Sequence, residues 1–129
     1  MRLPIRFAVA VLAFAPLCSA HHSFAAEFDG RNIITIKGTI TKFEWMNPHS
    51  YFYVDVPDSS GKVVSWAVEG RNLSIMSRMG WTKTTLQKGE AVTVTLYRHK
   101  DAAKSMGFVR TITKTDGTVL EVMMNVGNQ

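Results

Sequence analysis

The chain has 129 residues, 46% hydrophobic and 19% charged, with 15 Lys+Arg against 10 Asp+Glu and a formal net charge of +5. That length allows one domain rather than two, and the balance of apolar to charged residues excludes a wholly disordered chain. A single Cys excludes an internal disulfide and a multi-cysteine metal centre, and no apolar run reaches the roughly 18 residues that a membrane-spanning helix needs.

In chain order, residues 1–20 read as a secretory signal peptide. Arg2 and Arg6 give a positive start, Phe7 to Leu17 is uninterruptedly apolar, and Cys18-Ser19-Ala20 puts small residues before a cut. Two alternatives stand beside this: a buried N-terminal helix, although the run lacks amphipathicity, and a lipid anchor on Cys18, although Leu17 stands where a small residue is usual. Cleavage after Ala20 removes Arg2, Arg6 and Cys18, which leaves 13 basic against 10 acidic side chains, a net +3, and no thiol. The new first residue is His21, followed by His22.

Residues 21–129 then read as one domain. After a lead-in over 24–30, Ile34, Ile36 and Ile40 alternate with Thr and Lys, which predicts a half-buried strand over 32–44 with a bulge or bend at Gly38. Asn47-Pro48 marks a break. Strands follow at 51–56 and 63–69, joined by the turn residues Pro57-Asp58-Ser59-Ser60-Gly61. The period then changes: Leu73, Met76 and Met79 predict a short helix over 72–79, with Gly80 as its C-terminal cap. Gly89 ends the connection, Val92, Val94 and Leu96 alternate in a fourth strand, and a loop runs from His99 to Lys104. A fifth strand over 107–114 turns at Asp116-Gly117 into 118–124. This order predicts a mainly β fold, a small OB-like antiparallel barrel with one short helix between strands 3 and 4. An open β-sandwich with a helix at one end is the alternative.

Several of these stretches carry a resemblance. His21-His22-Ser23-Phe24, Ile36-Lys37-Gly38-Thr39-Ile40, Phe43 through Ser50 with its Asn47-Pro48-His49, Gly80-Trp81-Thr82 and Leu86 through Val94 are together similar to a family of short secreted bacterial proteins. That family carries only a domain-of-unknown-function label. The resemblance implies a periplasmic location and a small β domain, not a reaction.

The sharpest chemical candidate is a metal site from His21, His22 and His49. A free terminal amine and the Nδ1 of the same first-position His close a six-membered chelate ring, and neutral imidazole suits copper, zinc and nickel, with Cu(II) highest in the affinity order. His49, held in direction by Asn47-Pro48, is the natural second ligand; His22 is the alternate to His21, and Glu27, Glu44 and Met46 are outer candidates. Against this, a His after Pro is commonly a turn residue whose ring bonds a backbone carbonyl. His99, among Arg98, Lys100 and Asp101, reads as an exposed loop residue.

A second constellation is aromatic: Phe43, Trp45, Tyr51 and Tyr53, expected opposite the aliphatic stripe. Trp45, Tyr51 and Tyr53 would form a ligand-binding face for a small ligand or an envelope protein, or else close one end of the barrel. A net +3 gives no basic footprint for nucleic acid. Met76 and Met79 fit a buried helix face better than thioether ligation of copper. Nucleophile elbows, phosphate loops and dinucleotide-binding glycine patterns are missing, and Asp55, Asp58, Glu69 and Glu90 read as solvated carboxylates at strand ends or turns. The expectation is therefore a periplasmic binding module without catalytic signature, with copper as its candidate cofactor. A metal-independent interaction module is the alternative, and a small copper oxidase is a third class for which 109 residues leave little room.

Overall fold

The computed structural model describes residues 24–122. The expected signal peptide over residues 1–20, His21, His22 and residues 123–124 of the expected last strand lie outside the described residues. The elements are α1 (Phe24–Glu27), β1 (Phe28–Glu44), β2 (Tyr51–Pro57), β3 (Val63–Glu69), α2 (Leu73–Arg78), β4 (Ala91–His99), β5 (Met106–Lys114) and β6 (Val119–Glu121).

The strands form one mainly antiparallel sheet that closes on itself. β1 pairs with β2 on one side and β4 on the other, β2 with β3, and β4 with β5. A short parallel pairing, Ala67–Met106, Val68–Gly107 and Glu69–Phe108, joins β3 to β5 and completes the ring. β6 adds to the outer edge of β5. The OB-like barrel is thus present, with the helix between β3 and β4 as expected, and the ring leaves few open edges. The one parallel seam departs from an all-antiparallel barrel. Periodicity within strands does not reveal it, because it concerns which strands meet.

β1 is longer than the alternation indicated. It starts at Phe28, which pairs with His99, and its register to β4 shifts between Phe28 and Ile33. The irregularity against β2 falls between Ile40 and Lys42, not at Gly38. Gly38 has a different reason: a Cβ there would lie 2.2 Å from the Asp55 carbonyl oxygen, so two backbones approach at a spacing only glycine permits. The shift at Thr41 exchanges the faces of β1. Ile36 and Ile40 are buried before it, and Phe43 takes the inner side after it, stacked on fully buried Phe52 at 4.9 Å. Phe43 therefore packs with the aliphatic stripe, not opposite it.

The interior is filled by Ile36, Ile40, Phe52, Val54, Val68, Val94, Leu96, Val109 and Ile112. The α2 connection closes one end with Met76, Trp81 and Leu86, and the Trp81 indole donates to the Glu121 carbonyl at 3.1 Å. Met76 is fully buried and Met79 packs against the core, as the three-residue spacing required. Asn72 caps α2 by accepting from the Ile75 amide at 3.0 Å, and Gly80 follows at φ +85°.

A second apolar cluster lies outside the barrel. Phe24 of α1 packs against Phe28, Tyr97 and Phe108 at centroid distances of 5.6, 5.2 and 5.4 Å. Tyr97 and Phe108 are register partners on β4 and β5, flanked by inward-facing Leu96 and Val109, so they occupy the outer face. His99 joins this cluster with its ring edge-on to Phe28 at 5.9 Å, and its Nδ1 accepts from the Asp101 amide. It is half-buried, which corrects its reading as a plain exposed loop residue.

Candidate functional site

A cleft of about 650 Å³ lies on this outer side, of a size that suits a small ligand. Phe24, Phe28 and Phe108 supply an apolar wall, while the Asn47-Pro48-His49 loop and the start of α2 supply the polar side, with Glu69 between. The loop is tied firmly to the chain that follows β3. The Asn47 side chain accepts from the Leu73 amide at 2.9 Å, the Ser50 amide donates to the Arg71 carbonyl at 3.1 Å, and the Gly70 amide donates to the Ser50 carbonyl at 2.8 Å. Ser50 is fully buried and its hydroxyl donates to the Arg71 carbonyl at 3.0 Å. Gly70 has no room for a side chain, since a Cβ would come within 2.5 Å of the Ser50 hydroxyl and 3.0 Å of the Phe52 ring. The Asn47–Pro48 peptide is cis.

These ties aim His49. Its Nδ1 lies 2.6 Å from the Glu69 carboxylate and 3.3 Å from the Gly70 carbonyl. Both are acceptors, so Nδ1 carries the ring proton and, in the neutral imidazole, Nε2 carries the lone pair. The carbonyl contact expected of a turn histidine is present, together with a carboxylate that the sequence did not suggest. Glu69 is only 8% exposed, whereas a carboxylate at a strand end reads as solvated. It is the functional-site residue that sequence reasoning missed. Its signal was its position: as the last residue of β3 it stands beside Tyr51 on β2 and Phe108 on β5, on the outer face.

The Tyr51 phenol hydrogen-bonds the same carboxylate and is pushed up to about 12, by burial first and then by the negative charge of Glu69. Tyr53, one outward position further along β2, donates to Glu44 at 3.1 Å; burial and then that bond raise its pKa. Lys42 pairs with Glu44 and lies over the Tyr53 ring at 5.6 Å. Trp45 behaves differently. It packs against the core with Phe43 at 5.8 Å, whereas Tyr51 and Tyr53 flank inward-facing Phe52 and so point outward. The structure thus separates Trp45 from Tyr51 and Tyr53 and gives the three no common face.

Among the described residues, no group of three His, Cys, Asp or Glu side chains comes together as a metal cage. Met46 is 47% exposed and does not line the cleft. No helix among the described residues is long and apolar enough to cross a membrane.

The chain belongs to a family of unknown function, DUF6152. The family model matches residues 8–108, a stretch that contains His21, His22, His49 and every residue lining the cleft. No curated protein and no solved structure matches the chain.

Proposed function

We propose that the chain is an exported, periplasmic binding module that holds a copper ion at the cleft. His21 supplies its terminal amine and ring nitrogen, His49 supplies Nε2, and His22 is the alternate to His21. The observation that carries the reading is the His49–Glu69 pair at 2.6 Å. A carboxylate on one ring nitrogen fixes the tautomer, makes the other nitrogen more basic, and holds the ring in one orientation, as the outer partners of metal-bound histidines do. The cleft position supports it as well. Phe24 lines the cleft that His49 lines, and His21 is three residues upstream, within about 11 Å of extended chain. An amine and two imidazoles form an all-nitrogen donor set, for which Cu(II) heads the affinity order of the divalent first-row metals. The aromatic-face alternative lacks comparable support, because Trp45 turns inward and the hydroxyls of Tyr51 and Tyr53 already bond carboxylates.

The test is titration of the chain beginning at His21 with Cu(II), read by electron paramagnetic resonance and by competition with a chelator. Three nitrogen couplings are expected, and His49→Ala should remove one and weaken binding at least tenfold. Unchanged spectrum and affinity in His49→Ala would sink the copper reading.

A further inference from the structure

The cleft beside His49 combines one acceptor, several donors and a wall of rings. Nδ1 of His49 is committed to Glu69 at 2.6 Å and to the Gly70 carbonyl at 3.3 Å, so Nε2 is the ring's acceptor. The side-chain oxygens of Asn47 and Asn72 are committed as well, to the Leu73 amide at 2.9 Å and the Ile75 amide at 3.0 Å. What each side chain offers beyond these bonds is its NH2 group, a donor, and both residues line the cleft. On the apolar side, Phe24 and Phe28 stand 5.4 and 5.7 Å from Phe108, at interplanar angles of 87° and 61°. Rings crossed in this way present faces and edges to one space, and a further ring packs best edge-to-face or offset against them. Glu69 and Arg71 bring one negative and one positive charge to the lining, which therefore carries no net charge.

We infer that the cleft takes a small neutral aromatic molecule bearing a hydroxyl group, of the phenol or naphthol class. A hydroxyl is the head group that fits, because it donates to Nε2 of His49 and accepts from an asparagine NH2 at once. A carboxylate would set acceptor oxygens against the Nε2 lone pair and beside the Glu69 charge. An ammonium offers nothing for the asparagine donors to bond and meets the charge of Arg71. A ring with no polar group would cover Nε2 without giving it a donor. The body of the guest lies against the phenylalanine wall, and a volume of about 650 Å³ has room for one or two fused rings. The inference needs no metal and goes beyond the copper reading. Guest and metal would use the same ring nitrogen, so the guest is tested with metal chelated.

The experiment titrates the isotope-labelled chain beginning at His21, with chelator present, against β-naphthol, naphthalene, β-naphthoate and naphthylmethylammonium, read by amide chemical shifts in nuclear magnetic resonance. β-Naphthol is expected to shift the amides of His49, Glu69, Arg71 and Phe108, and to bind about threefold to tenfold tighter than naphthalene, which is what one hydrogen bond contributes. The naphthoate and the ammonium should bind more weakly than β-naphthol. His49→Ala should bring β-naphthol down to the affinity of naphthalene, whereas Phe24→Ala should weaken both and preserve their ratio. The probe series on the parent decides the matter even if Phe24→Ala folds poorly. Equal affinity for β-naphthol and naphthalene, tighter binding of either charged probe, shifts confined to residues outside the cleft, or no binding at all would overturn the inference. The copper reading is judged by its own Cu(II) titration of His49→Ala, so the failure of one is distinguishable from the failure of the other.

Discussion

The barrel interior and the aromatic cluster outside it are built from similar side chains and serve different ends. Inside, Phe52, Ile40, Val94 and Ile112 are fully buried and contacted from several strands, so they define the ring itself. Outside, Phe28 and Phe108 are nearly as buried, yet what they cover is a single short segment, and beside them an open cleft remains. Apolar burial of similar depth thus builds a fold in one place and holds the short α1 segment beside polar groups in the other. The polar groups follow the same division. Among the described residues, the buried polar or charged ones are Ser50 and Glu69; Glu69 lines the cleft, and Ser50 ties down the loop that carries His49.

That contrast is open to breakage. The largest expected effect is inside: Phe52→Ala should cost about 3–5 kcal/mol of folding stability in urea unfolding, because the stacked Phe43 and nearby Trp81 cannot collapse into the space. A loss as large from Phe28→Ala would erase the distinction between the clusters; a smaller loss sharpens it. Next, on the proposed copper reading, Glu69→Gln should weaken Cu(II) binding about 10–100-fold by loosening the hold on the His49 tautomer, measured by chelator competition, while the barrel stays folded.

A smaller effect belongs to Tyr51. Its folded pKa of about 12 stands above the ordinary value of 10.0, so its contribution to stability is complete below pH 10 and is lost as pH rises from 10 through 12. Tyr51→Phe should flatten stability over that window, and in ultraviolet titration it should lose the latest-ionising phenol of the parent. The smallest effect concerns the β2–β3 turn. The Asp58 carboxylate accepts from the Ser60 hydroxyl at 2.7 Å, the Ser60 amide at 2.8 Å and the Lys62 amide at 2.9 Å, and the Ser60 bonds foremost hold its pKa below 3.8. Its contribution is present above pH 3.8 and disappears as acid protonates it. Asp58→Ala should therefore lower the melting temperature slightly at pH 7 and by less as the pH falls below 3.8.

What could be read from the residues follows from what each signal encodes. The alternation of Val64, Trp66 and Val68, the three-residue steps of Leu73, Met76 and Met79, and Asp116-Gly117 are local patterns, and the elements stand close to where those patterns put them. Gly38 was a legible constraint with the wrong cause attached, since a close approach and a bulge both select glycine. The face exchange at Thr41 was not legible, because one inserted residue reverses every later side chain without altering the alternation, and this moved Phe43 inward. His49 could be singled out from Asn47-Pro48-His49. Its carboxylate partner could not, because Glu69 reaches it only through β2–β3 register and the return of chain at Gly70. The outer cluster depends on the same kind of long-range register, with Phe24 meeting residues more than seventy positions away.

The last rung of the β3–β5 seam, Glu69 opposite Phe108, is also the boundary between the polar and apolar sides of the cleft. A guest held by both sides would act as a staple across the join that closes the cylinder. Filling the cleft should then slow amide exchange along Ala67–Glu69 and Met106–Phe108 more than along β1.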